Sequence, residues 1–270
     1  MSFVAAEVLG PEHPDYLMTL NDIACVYQSR KQFDEALKLY EECREVQKKL
    51  LGPEHPDYLM TLRNIGGVLK SKGWFDEALK IYEECRVLQL RVFGPEDPNY
   101  LTTLSNMADV LKSNRQYDEA LKLYEECRVL QLRVLGPEDP NYLTTLSNIA
   151  GVYVSNGQYD EAIKTYEECR MLQLKVLGPE HPEYLKTLNK MANVCCNQRN
   201  VIGALPLMRE SVATGRKIKF HLVEHWASEL EALERQLNLT KQVGGKKIGP
   251  NDLCPCKSGK KYKKCCKNGM

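Results

Sequence analysis

The feature that most constrains this chain is a spacing. Gly10, Gly52, Gly94, Gly136 and Gly178 lie 42 residues apart, and each is followed by Pro-Glu. The same block recurs around them, as in LSNMADVLKSNRQYDEALKLYEECRVLQLRVLG from Leu104 to Gly136. A fixed period of this length specifies stacked copies of one supersecondary unit. It also points away from catalysis, because such arrays present extended binding surfaces.

Each copy reads as two helices. The first begins at the HPDY, DPNY or HPEY segment, where proline suits the first helical position. His13, His55, Asp97, Asp139 and His181 precede those prolines. Aspartate is a strong N-cap, and its alternation with histidine at one position argues for capping by both rather than for metal ligation. In the third copy Leu101, Leu104, Met107, Ala108, Val110 and Leu111 follow the three-and-four spacing of one buried stripe. The polar turn SNRQ follows. The second helix runs from Tyr117 through Leu135, with Ala120, Leu121, Leu123, Tyr124, Cys127, Leu130 and Leu132 inward or semi-buried. Gly136 and Pro137 end it. One helix pair cannot bury both apolar faces, and stacked copies can.

Composition adds a charge asymmetry. The 270 residues carry a net +1, but Lys241 to Met270 hold nine lysines and one acidic residue, leaving the first 240 residues at −7. No run approaches the ~20 apolar residues of a membrane helix, and the first residues lack the pattern of a secretory signal. A cytoplasmic, reducing setting is the expectation, so the eleven cysteines are read as thiols or metal ligands before disulfides. Residues 1–10 align with the end of a repeat, either as a cap or as the last part of a longer array.

The pattern resembles the tetratricopeptide repeat. That family places a small residue in the first helix, then an aromatic, alanine, an aromatic and a small residue in the second. Here the slots hold Ala24, Phe33, Ala36, Tyr40 and Cys43; Gly66, Phe75, Ala78, Tyr82 and Cys85; Ala108, Tyr117, Ala120, Tyr124 and Cys127; Ala150, Tyr159, Ala162, Tyr166 and Cys169. A degenerate fifth copy holds Ala192, Val201, Ala204, Met208 and Ser211. The long period and the GPEHP-type connector look like the subgroup found in kinesin light chains and nephrocystin-type proteins. The resemblance implies an all-α fold, a right-handed superhelical solenoid of helix pairs, with five repeats over residues 11–216. It implies a peptide-binding concave groove lined by Arg63, Asn64, Lys70, Asn106, Asp109, Lys112, Ser147 and Asn148, with Gly151 beside them. The asparagines at 64, 106 and 148 would grip an extended peptide's main chain, since one amide both donates and accepts. Arg63, Lys70 and Lys112 would favour a ligand with acidic residues. Cys43, Cys85, Cys127 and Cys169 are read as small buried residues rather than reactive thiols.

Residues 217–240 read as one amphipathic helix capping the array, with Phe220, Val223, Trp226, Leu230, Leu233 and Leu237 as its stripe. His221 and His225 lack a third ligand, and Cys195 and Cys196 point in different directions, so neither pair is taken as a metal site. A glycine-bearing linker spans residues 241–249. Residues 250–268 then hold Cys254, Cys256, Cys265 and Cys266, four thiolates whose spacing can close a tetrahedral Zn²⁺ site. So short a segment has almost no core, so metal would supply its fold. The stretch PNDLCPCKSGKKYKKCC resembles the SEC-C motif, which implies zinc binding and docking of a second protein partner.

The expected function is therefore a non-catalytic interaction scaffold: a protein or peptide ligand in the groove and a second partner on the zinc tail. Two alternatives stand beside it, the cargo-binding part of a kinesin light chain-like protein and a nucleic-acid-associated protein using the basic tail. No phosphate loop, nucleophile motif or open zinc site suggests an enzyme.

Overall fold

The computed structural model describes residue 10 and residues 12–243, and every regular element among them is an α-helix. In chain order these are α1 (Pro14–Ser29), α2 (Phe33–Leu50), α3 (Pro56–Lys72), α4 (Phe75–Phe93), α5 (Pro98–Ser113) and α6 (Tyr117–Val134). They continue with α7 (Pro140–Ser155), α8 (Tyr159–Leu177), α9 (Pro182–Asn197), α10 (Val201–Lys217) and α11 (Val223–Val243). Five consecutive helix pairs pack as repeats, an all-α solenoid architecture. The chain divides into two compact units between Gly136 and Pro137.

The helix ends follow from their sequences. Nδ1 of His13, His55 and His181 accepts the backbone N–H two residues on at 3.2 Å in each case. Asp97 and Asp139 do the same through Oδ1 at 2.9 and 2.7 Å. Histidine and aspartate thus satisfy the same orphan amide. The intra-repeat turns close on a left-handed residue: Lys31, Gly73, Arg115, Gly157 and Arg199 have φ of 60, 78, 61, 75 and 58°. The following residue donates back five positions, as Gln116 N–H does to Leu111 O at 2.8 Å, the bond of a Schellman ending.

Inside each repeat the small slots set the helix separation. Ala36, Ala78, Ala120, Ala162 and Ala204 are fully buried, as are Ala24, Ala108, Ala150 and Ala192 opposite them. At Gly66 the approach is closest: a Cβ there would lie 2.6 Å from Cζ of Tyr82. The cysteines are buried as expected, and they also bond. Sγ–H of Cys43, Cys85, Cys127 and Cys169 donates to the carbonyl of Leu17, Leu59, Leu101 and Leu143 at 3.3–3.5 Å. Burial pushes the Cys43 and Cys85 thiols up to about 11 and the Cys169 thiol up to about 12. A thiol held protonated is a poor nucleophile. A second clasp joins the same helix pairs: the tyrosine at 16, 58, 100, 142 or 184 donates to the glutamate 26 residues on, at 2.7–3.4 Å.

Two expectations are corrected. Leu132 is not semi-buried: it is 43% exposed, while Gln131 beside it is 4% exposed. The inward stripe of the second helix follows Ala120, Tyr124, Cys127 and Gln131, and a residue one step further turns outward. The capping helix also begins later than residue 217. Phe220 N–H closes on Gly215 O at 2.8 Å and Lys219 takes φ 55°, which ends α10 before α11 starts. Phe220 remains buried in that turn, against Trp226.

α11 takes the place of a further first helix. Trp226 lies 42 residues after Tyr184 and is buried with Leu185, Leu188 and Val212. Where earlier first helices carry alanine or glycine, α11 carries Glu234, which pairs with Arg209 at 2.8 Å.

Candidate functional site

The first helices of unit one, α1, α3 and α5, are tied side by side. Thr61 Oγ1–H donates to Asn21 Oδ1 at 3.2 Å, and Arg63 Nη1 donates to Asn99 Oδ1 at 2.9 Å. Lys70 pairs with Asp109 at 3.2 Å, and Asp109 also accepts from the Tyr124 hydroxyl. Three of the expected groove residues are therefore already engaged with the fold. Their charges differ in consequence. Lys70 and Asp109 neutralise one another, whereas Arg63 leans on a neutral amide and keeps its charge available. Asn64 and Asn106 are half-buried and make no hydrogen bond to another described residue. Lys112 is half-buried on the same helix as Asn106.

In unit two the first helices are α7 and α9. Ser147 is buried, and its hydroxyl accepts from Lys190 Nζ at 2.8 Å. Desolvation pushes the Lys190 ammonium down. Ser147 thus serves as a support for Lys190. Asn148, the next residue, is half-buried with no hydrogen-bond partner among the described residues.

Two rows of residues and one cysteine escaped the sequence reading. Thr61, Thr103, Thr145 and Thr187 are buried, whereas Thr19, at the same position of the first copy, is only half-buried. The hydroxyls of Thr61, Thr103 and Thr187 meet the cysteine of the preceding copy. The exposed Cys25 sits 3.0 Å from the Tyr40 hydroxyl. Gln47, Gln89, Gln131 and Gln173 are 1–4% exposed, and Oε1 of each has no hydrogen-bond partner. The signal was available for the glutamines, since they too recur every 42 residues.

His225 reaches only Glu229, at 3.4 Å, and His221 lies edge-on to Phe220. Among the described residues no group of three or more His, Cys, Asp or Glu could hold an ion. Cys254, Cys256, Cys265 and Cys266 lie outside the described residues. No helix among the described residues is long and apolar enough to cross a membrane.

The tetratricopeptide repeat family matches at residues 4–49, 26–86, 64–128, 99–170 and 143–217. The chain belongs to the tetratricopeptide repeat family. The SEC-C motif matches residues 251–268. A crystal structure of a Podosopora anserina protein described as a kinesin light chain with nearly identical TPR-like repeats is similar over 77% of this chain and 99% of that one. Its identity is 28% and its TM-score 0.67. BtubC (BKLC) from P. vanneervenii shares the fold at 16% identity and TM-score 0.66, covering 81% of this chain and 86% of that one. The Rap conjugation gene regulator of plasmid pLS20, in complex with the Phr* peptide, shares it at 12% identity and TM-score 0.60, covering 77% and 55%. The tail matches protein translocase subunit SecA of Syntrophomonas wolfei, 81% identical over 26 residues, and of Finegoldia magna, 79% over 24. This chain spans 3% of the length of those two proteins.

Proposed function

We propose that the chain is a non-catalytic scaffold that binds an extended peptide along the face of its first helices. The observation that carries this reading is the register of Asn64, Asn106 and Asn148, amides with no partner in the fold at the same position of successive repeats. A carboxamide can accept a ligand N–H and donate to a ligand carbonyl. Arg63 favours an acidic residue in the ligand. The peptide-bound regulator that shares the fold supports the mode of recognition.

The test is a peptide enriched from a random display library on the full-length chain, measured by fluorescence anisotropy. Each amide lost costs about 1 kcal/mol. Replacing Asn64, Asn106 and Asn148 together by alanine should weaken binding roughly 100-fold. Binding within twofold of the parent would refute the asparagine mechanism.

The tail supplies the second contact. Cys254, Cys256, Cys265 and Cys266 are the right donor set for Zn²⁺, four soft thiolates that close a structural site with no open position. The ion would hold the short segment folded, leaving its lysines to dock an acidic protein surface. Metal analysis of the purified chain should find about one Zn²⁺ per chain. Changing Cys254 and Cys256 to serine should remove the metal while leaving the helical signal of the repeats intact. Retained stoichiometric zinc would count against this ligand set.

The likeness to a protein described as a kinesin light chain favours cargo carriage as the second reading. Co-purification with a kinesin heavy chain is the observation that would raise it above the first.

A further inference from the structure

One position of the first helices alternates in size. Cys25, Gly67, Asp109 and Gly151 follow the small slot in successive repeats. In each of these repeats the second helix brings a tyrosine, Tyr40, Tyr82, Tyr124 or Tyr166, to the pair it forms with that first helix. In repeat one the Tyr40 hydroxyl meets Cys25 Sγ at 3.0 Å and donates to Gln28 Oε1 at 3.3 Å. In repeat three the Tyr124 hydroxyl donates to Asp109. Repeat two has only Gly67, and the Tyr82 hydroxyl has no hydrogen-bond partner among the described residues.

Two donors border that gap. A Cβ added at Gly67 would lie 3.7 Å from the Tyr82 hydroxyl and 3.6 Å from Gln28 Nε2. Gln28 Oε1 is taken by Tyr40, which fixes the amide and leaves Nε2 to donate. Burial pushes the Tyr82 phenol up, with the Asp109 carboxylate adding to it, so the hydroxyl keeps its proton. The cation that acts on Tyr82 is Arg63, which donates to Asn99, while Lys70 is neutralised by Asp109. Two neutral donors suit a carbonyl oxygen as their acceptor, and the missing side chain admits a backbone closely.

We propose that Gly67 is a main-chain seat: a carbonyl of the extended peptide lies over it and accepts from the Tyr82 hydroxyl and Gln28 Nε2. This rests on the peptide reading above and adds where the ligand's backbone is read. Repeats one and three are closed to the same contact, because Cys25 and Asp109 occupy the position and take the tyrosine hydroxyl.

Tyrosine substitutions in the full-length chain separate the cases, with the display-selected peptide as probe. Tyr82→Phe should weaken its binding about five- to tenfold, the worth of one hydrogen bond, with the thermal midpoint unchanged. Tyr124→Phe should leave affinity within twofold and lower the midpoint, because its hydroxyl serves Asp109. Gly67→Ala should weaken binding while raising the midpoint by about 2–4 °C, since alanine is the better helix former and meets only ordinary contacts. Peptide bound equally by Tyr82→Phe, Gly67→Ala and the parent would overturn the seat, leaving it a water site, while the peptide reading stood. Enrichment of no peptide would overturn both.

Discussion

Replacing Tyr124 by alanine should cost about 3–5 kcal/mol of stability, the range for deleting a fully buried aromatic side chain. The ring is completely buried. It occupies the slot that Tyr82 fills one repeat earlier, where the opposing helix comes so close that a glycine stands against the ring. No neighbour can collapse into such a void without shifting a helix, so most of the cavity penalty persists. The loss is also electrostatic. The hydroxyl donates to Asp109, whose other partner is Lys70 on α3. Without it, the half-buried carboxylate loses a donor in the middle of a contact between repeats. Urea unfolding should therefore show a lower midpoint by far-UV ellipticity. The fluorescence of Trp74, in the neighbouring repeat of the same unit, should shift with it, because each repeat is stabilised by the next. Trp226 in α11 provides a probe of the other unit in the same experiment. A loss below about 1 kcal/mol would contradict the packing described.

Exchanging Gln131 for leucine should move stability the other way, by about 1–2 kcal/mol. The side chain is 4% exposed, and its Oε1 has no hydrogen-bond partner. A buried acceptor that gave up water and gained nothing carries a desolvation penalty. Leucine is close in length, forms helix as readily and removes the penalty. Gln47, Gln89 and Gln173 stand in the same condition, one to a repeat. Leucine at all four should therefore raise the urea midpoint in steps as the substitutions accumulate. A decrease at each step would mean that a water molecule satisfies the carboxamide and that leucine evicts it.

Much of this molecule is local chemistry, and that part was legible in the residues. The caps at His13, His55, Asp97, Asp139 and His181, the glycine connectors and the alanine, tyrosine and cysteine slots depend on neighbours within one helix pair. A 42-residue period repeats those neighbours five times, so chance patterns average out. The cysteine motif of the tail is equally local, since its four thiols lie within 13 residues.

The groove residues were a different kind of reading. Asn64, Asn106 and Asn148 lie half-buried with no hydrogen-bond partner among the described residues. Lys70 and Asp109 were expected to line the groove, and they pair with each other. Ser147 was expected there too, and its hydroxyl accepts from Lys190. Each of these contacts runs between repeats, between residues far apart in the chain.

By itself, the sequence determined that this chain is a helical repeat array, where the first helices of its repeats begin, and which small and aromatic side chains cement each pair. Periodicity and capping act within a turn or two of helix, so composition and spacing suffice to read them. The tertiary structure alone decided which polar groups remain for a partner. That depends on how one repeat stacks on the next, which sets Lys70 against Asp109 and Lys190 against Ser147.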